Sequence, residues 1–148
     1  MKTLDIISLS TGFLYIISFI LYLYTDLNYH IKGVIGLGIT VGLSEFIKKF
    51  IIKDISPRPQ GAKDCNLLCN DGNQEGKPGM PSSHSAAVAF FTVYYFNYSD
   101  NIIIKSFLVL YAILVAVSRY LKRCHTIYQI GSGLTFGLIT GIIGVRYL

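Results

Sequence analysis

The chain has 148 residues, 52% of them hydrophobic and only 14% charged, with a formal net charge of +5. That balance is too apolar for a soluble domain of this length and places a single domain in a membrane. The positive charge marks no nucleic-acid partner, because the cations bracket apolar segments instead of lining one soluble face and no nucleic-acid motif is present.

Residues 6–24 form the first apolar segment, long enough to cross a bilayer as a helix of roughly 20 residues. It ends in Leu-Tyr-Leu-Tyr without a small-residue cleavage site, so it is expected to stay as a permanent helix. After a polar turn at 25–30, a second span covers 31–52, where Gly38 and Gly42 are spaced for close approach of a neighbouring helix. Its end turns basic, with Glu45, Lys48, Lys49 and Lys53. Residues 54–81 hold all four prolines, and long loops in small domains are often functional. Arg58 stands between Pro57 and Pro59, which fix its backbone on both sides.

A third span, 83–98, opens with Ser82 or Ser83 as N-cap, and such a helix start offers free backbone N–H groups and positive dipole charge to an anion. His84 sits on its first turn. Span four, 102–117, and span five, 126–145, flank a charged stretch running from Ser118 to Gln129. Span five carries Gly133, Gly137 and Gly141 at four-residue spacing and is expected to pack on span two. With five spans, the loop 54–81 and the turn 119–125 share the face of the N-terminus. Ten of the thirteen Lys and Arg residues lie there: Lys2, Lys48, Lys49, Lys53, Arg58, Lys63, Lys77, Arg119, Lys122 and Arg123.

Cations and an imidazole between two apolar helices need a reason. Positions i and i+4 share a helix face, so the Gln129 amide lies one turn from His125 and holds one ring nitrogen, leaving the other free to attack or accept a proton. Arg119 offers a planar fork suited to phosphate oxygens. If the amide only orients His125, Gln129→Asp preserves or raises activity. Three cysteines are too few for a disulfide scaffold or a thiolate zinc cage; Cys65 and Cys69 share one loop and are able to pair under oxidising conditions. Cys124 and His125 are neighbours whose side chains point apart, which argues against a catalytic dyad.

Taken together, Arg58-Pro59, Pro81-Ser82-Ser83-His84 and Ser118-Arg119 with His125 after five intervening residues resemble the type 2 phosphatidic acid phosphatase superfamily of membrane lipid phosphate phosphatases. That pattern has a Lys shortly before Arg-Pro, a Pro-Ser-Gly-His, and a Ser-Arg followed by His and then Asp. Ser83 stands where glycine is usual and Gln129 where Asp is usual, departures similar to the dolichyl diphosphatase branch. Lys48, Lys49 and Lys53 all lie upstream of Arg58; Lys49 is taken for the lysine role.

The resemblance implies an all-α polytopic helix bundle with about five transmembrane helices and an active site at one membrane interface. It implies that His125 attacks phosphorus, that His84 protonates the departing oxygen, and that Gln129 orients His125. Lys49, Arg58, Ser82, Ser83 and Arg119 would bind the phosphate, without metal or cofactor. The implied partners are a lipid phosphate or isoprenoid diphosphate and the surrounding membrane lipids. Because the superfamily commonly has six spans, a second copy of the chain is a further expected partner. The positive-inside rule puts the charged face in the cytoplasm, whereas the resemblance favours a lumenal or extracellular site, and the latter is preferred. The competing reading is a non-catalytic membrane protein that binds phosphorylated headgroups.

Overall fold

A computed structural model of the chain describes residues 3–148, so that Lys2, counted above with the cations of the N-terminal face, lies outside the described residues. Five α-helices follow one another among the described residues: α1 (Thr3–Thr25), α2 (Asn28–Phe46), α3 (Ser83–Tyr98), α4 (Ile102–Leu121) and α5 (Ile127–Tyr147). A π-helical turn, Ile47–Ile52, and a short 3-10 turn, Lys53–Ile55, carry α2 into the long loop.

The bundle is built around α3. Its side chains from Ala86 to Phe91, with Tyr94 and Tyr95, are buried, and Phe90 and Tyr94 stack in the centre of the core. Large apolar side chains face outward instead on the flanking helices, among them Ile17, Phe107, Leu110 and Ile142. That distribution suits a hydrocarbon surrounding, in which the backbone is satisfied within each helix.

Three helices, α1, α4 and α5, are long and apolar enough to cross a membrane, fewer than the five expected. The difference has a physical source. At 16 residues α3 extends about 24 Å, and its place at the axis removes any need for a lipid-facing apolar surface. α2 carries His30, Lys32 and Glu45, of which His30 is buried against Tyr95 with Nδ1 3.3 Å from its hydroxyl.

The small-residue column of α5 packs on α3 and not on α2 as expected. A Cβ at Gly133, Gly137 or Gly141 would run into Ser82, Ala86 or Val93 of the α3 segment. In α2 it is Gly33 and Gly36 that lie against Tyr94 and Phe90, while Gly38 and Gly42 face open space. Gly38 is five positions beyond Gly33, about 140° further around the helix, so only one of these faces can meet α3. Hydroxyl pairs tie the remaining helices, with Ser10 to Tyr111 at 2.7 Å and Thr40 to Thr140 at 3.0 Å.

Candidate active site

The loop after α2 folds back over the end of the bundle and is pinned there. The Arg58 N–H donates to the Lys77 carbonyl (2.8 Å) and Gly76 N–H to the Arg58 carbonyl (3.3 Å), so the backbone on either side of the arginine is paired as well as proline-restricted. A disulfide joins Cys65 to Cys124, and Cys69 is the free cysteine; the pairing of Cys65 with Cys69 is therefore corrected. Cys69 has φ 53° and turns its sulfur to the Lys122 ammonium at 3.0 Å. Lys122 also binds Asp5 (2.8 Å) and the Asp64 carbonyl (2.7 Å), joining the start of α1, the loop and the end of α4.

His125 lies in the short connection between α4 and α5 and is almost fully buried. Thr126 caps α5: its hydroxyl accepts from Gln129 N–H (3.3 Å), and Gln129 Oε1 accepts from Thr126 N–H (3.1 Å), a reciprocal capping box. The same Oε1 lies 3.3 Å from His125 Nδ1. The amide cannot be reversed, because Nε2 shares its two protons among three acceptors, the Ser56 carbonyl (3.1 Å), the Ser56 hydroxyl (3.0 Å) and the Pro57 carbonyl (2.8 Å). Oε1 can only accept, so Nδ1 of His125 carries the proton and Nε2 keeps its lone pair. Arg58 Nη1 donates to that lone pair at 3.3 Å and to the Cys124 carbonyl at 3.1 Å. Burial pushes the His125 imidazole well below the usual histidine range, reinforced by the charges of Arg58, Arg119 and Lys48, against a small opposing effect of Gln129. The ring is held as a free base.

A cavity of about 510 Å³ brings His125, Arg58, His84, Ser83, Lys48 and Glu45 together. Lys48 is buried, and its ammonium donates to Ser83 Oγ (2.8 Å) and to Glu45 Oε1, which also accepts from the Ser83 hydroxyl. Lys49 lines the rim, its side chain 65% exposed and 3.6 Å from Glu45. Ser82 sits beneath the site as the N-cap of α3, its oxygen taken by Ser85 N–H (3.5 Å) and Ser85 Oγ (3.0 Å). Arg119 is fully buried one layer back, donating from Nη1 to Ser8 Oγ and from Nη2 to the Cys65 carbonyl. Two buried side-chain N–H groups have no partner among the described residues, Nε of Arg58 and Nε of Arg119, and the first belongs to a residue of the cavity wall. Donor capacity of this kind suits an oxyanion.

Sequence reasoning missed Ser8, Glu45, Ser56 and the Cys65–Cys124 bond. Thr126-x-x-Gln129 is a legible capping-box signal, but the second use of that amide depends on the loop that folds over it.

The geometry defines an all-α bundle with membrane-length helices and a buried, cation-rich pocket holding two imidazoles. A model of the PAP2 superfamily matches residues 29–148, and the chain belongs to that superfamily. Its members are phosphatases, with phosphorylated lipids as the class of substrate. Neither a curated protein nor a solved structure matches the chain.

Proposed function

We propose that this chain is an integral membrane phosphatase that hydrolyses a lipid phosphate or diphosphate, with a polyprenyl diphosphate as its preferred class of substrate. The observation that carries the reading is the neutral His125 imidazole, its Nε2 lone pair against Arg58 and its Nδ1–H held by Gln129, in one cavity with His84.

In the first step Arg58 Nη1 turns from Nε2 to a phosphoryl oxygen, and the freed Nε2 lone pair attacks phosphorus in line, forming an N–P bond as the P–O bond to the departing group breaks. His84 gives that oxygen a proton. Arg58 and Lys48 neutralise the equatorial oxygens, the backbone N–H of Ser83 donates to one of them, and Arg119 adds its charge from behind the wall. Water, deprotonated by His84, then attacks the phosphohistidine, releasing phosphate and restoring both imidazoles. The burial of Lys48 and the exposure of Lys49 favour Lys48 for the lysine role.

The lipid character of the substrate is supported by the apolar end of the cavity, where Gly12, Tyr15, Val41 and Ala87 line the space between α1, α2 and α3. A diphosphate is supported by its polar reach, from His125 out to Gln74 and Lys77. A structural disulfide at the site favours an oxidising compartment, and hence a lumenal or extracellular active site.

The test is phosphate release in detergent from an isoprenyl diphosphate, phosphatidate and a soluble monoester, with and without chelator. Turnover is expected to survive EDTA and to fall on the order of 10⁴-fold in His125→Ala. Unchanged turnover in His125→Ala would refute the mechanism. Gln129, an amide where the family has a carboxylate, favours the second reading, a non-catalytic headgroup-binding protein; saturable binding of those lipids without turnover would establish it.

A further inference from the structure

We propose that Ser8, on α1, is a positioning residue for the proton-donating His84; this rests on the role given to His84 above. α1 lies ahead of the residues matched by the family model, so nothing in that match points to it.

Hydroxyls in an apolar helix ordinarily return to their own backbone. Thr11 donates to the Ser8 carbonyl (2.8 Å) and Ser18 to the Leu14 carbonyl (2.8 Å) in this way. Ser8 Oγ instead meets two other helices. It accepts from Arg119 Nη1 on α4 and lies 3.4 Å from His84 Nε2 on α3, with the residue completely buried. Its own helix is anchored nearby, because Asp5, one turn earlier, pairs with Lys122.

A serine hydroxyl has one proton to donate and two lone pairs to offer. Arg119 occupies one lone pair permanently, since a guanidinium only donates. The remaining lone pair can accept from Nε2–H of His84. Nε2 then keeps its proton in both the cationic and the neutral ring, and Nδ1 is the nitrogen that gives a proton to the departing oxygen and takes one back from water. The contact at Nε2 holds the ring in one place throughout. Alanine offers no acceptor, and a ring free to turn loses alignment with the leaving group.

The experiment compares two monoesters in the full chain: an isoprenyl monophosphate, whose leaving alkoxide needs a proton, and p-nitrophenyl phosphate, whose phenolate does not. In Ser8→Ala, kcat/KM, which reports the first step alone, is expected to fall about tenfold or more on the isoprenyl ester and to change less than about twofold on the nitrophenyl ester. A loss of equal size on both esters would mean that Ser8 serves only Arg119 and the fold, and would overturn the proposal, as would no loss on either. His84→Ala, assayed alongside, separates the two levels. If it lacks leaving-group dependence, the acid role of His84 fails; if it shows that dependence and Ser8→Ala does not, only the role of Ser8 fails. Should Ser8→Ala not purify folded, Ser8→Cys keeps the shape with a weakly bonding sulfur and is judged by the same ratio.

Discussion

Replacing Gln129 by Glu changes one atom of the site while keeping its size. Oε1 retains its partners, Thr126 N–H and His125 Nδ1–H. The other terminal atom becomes an oxygen where Nε2 had donated at 2.8 Å to Pro57 O and 3.1 Å to Ser56 O. Two acceptors without a proton between them do not hold those separations, and only the Ser56 hydroxyl can turn to donate. With Gln129 1% exposed, water does not relieve the conflict. A buried polar group left unsatisfied costs about 1–3 kcal/mol. If all of it falls on the placement of Arg58, two residues from Ser56, kcat/KM at neutral pH drops about 5- to 150-fold. The new charge also favours the imidazolium, so the acid limb of the pH profile moves up. Phosphate release measured in detergent between about pH 4 and 8 reads both effects. Activity at neutral pH equal to or above that of the unmodified protein would refute the reasoning, since it would mean the amide donors hold nothing that matters. The condition under which Gln129→Asp preserves or raises activity, that the amide only orients His125, is not met, because Nε2 also binds Ser56 and Pro57, contacts that a shorter carboxylate loses.

Lys48→Ala is expected to lower kcat/KM about tenfold to a hundredfold and Lys49→Ala less than about twofold, because only Lys48 is buried in the cavity, as steady-state kinetics on both variants will check. Cys124→Ser opens a loop closed across a sequence separation of 59 and is expected to cost about 4 kcal/mol of stability, measured by denaturant unfolding against an oxidised control. The depressed His125 implies that activity persists at acid pH below the ordinary histidine range of about 6.5. By linkage, the unfolded chain binds the proton first, so the stability that His125 contributes is present above about pH 6.5 and is lost as pH falls through that range; thermal unfolding across pH checks the sign.

Much of this was legible in the sequence, because it depends on local spacing. Apolar runs placed the five helices, and the four-residue step from His125 to Gln129 put amide and ring together. Spacing does not identify partners. Gly133, Gly137 and Gly141 announce a small face, but whether α2 or α3 fills it depends on which helix takes the axis. Lys48 and Lys49 differ by about 100° of helix phase, and the π-helical turn that sets the phase has no sequence signal of its own. Cys65 is near Cys69 in the chain, yet the fold carries it to Cys124 across the site. Ser8 and Glu45 are an apolar-helix serine and a helix-end carboxylate until α3 is packed beside them.

The most direct test is to trap the intermediate: incubate the protein with an isoprenyl diphosphate labelled in the terminal phosphate, quench, and look for label on the chain. The account predicts an acid-labile, base-stable phosphoramidate that maps to His125, accumulates in His84→Ala and is absent from His125→Ala. Turnover with no phosphohistidine in any of these proteins, or label that persists in His125→Ala, would contradict it.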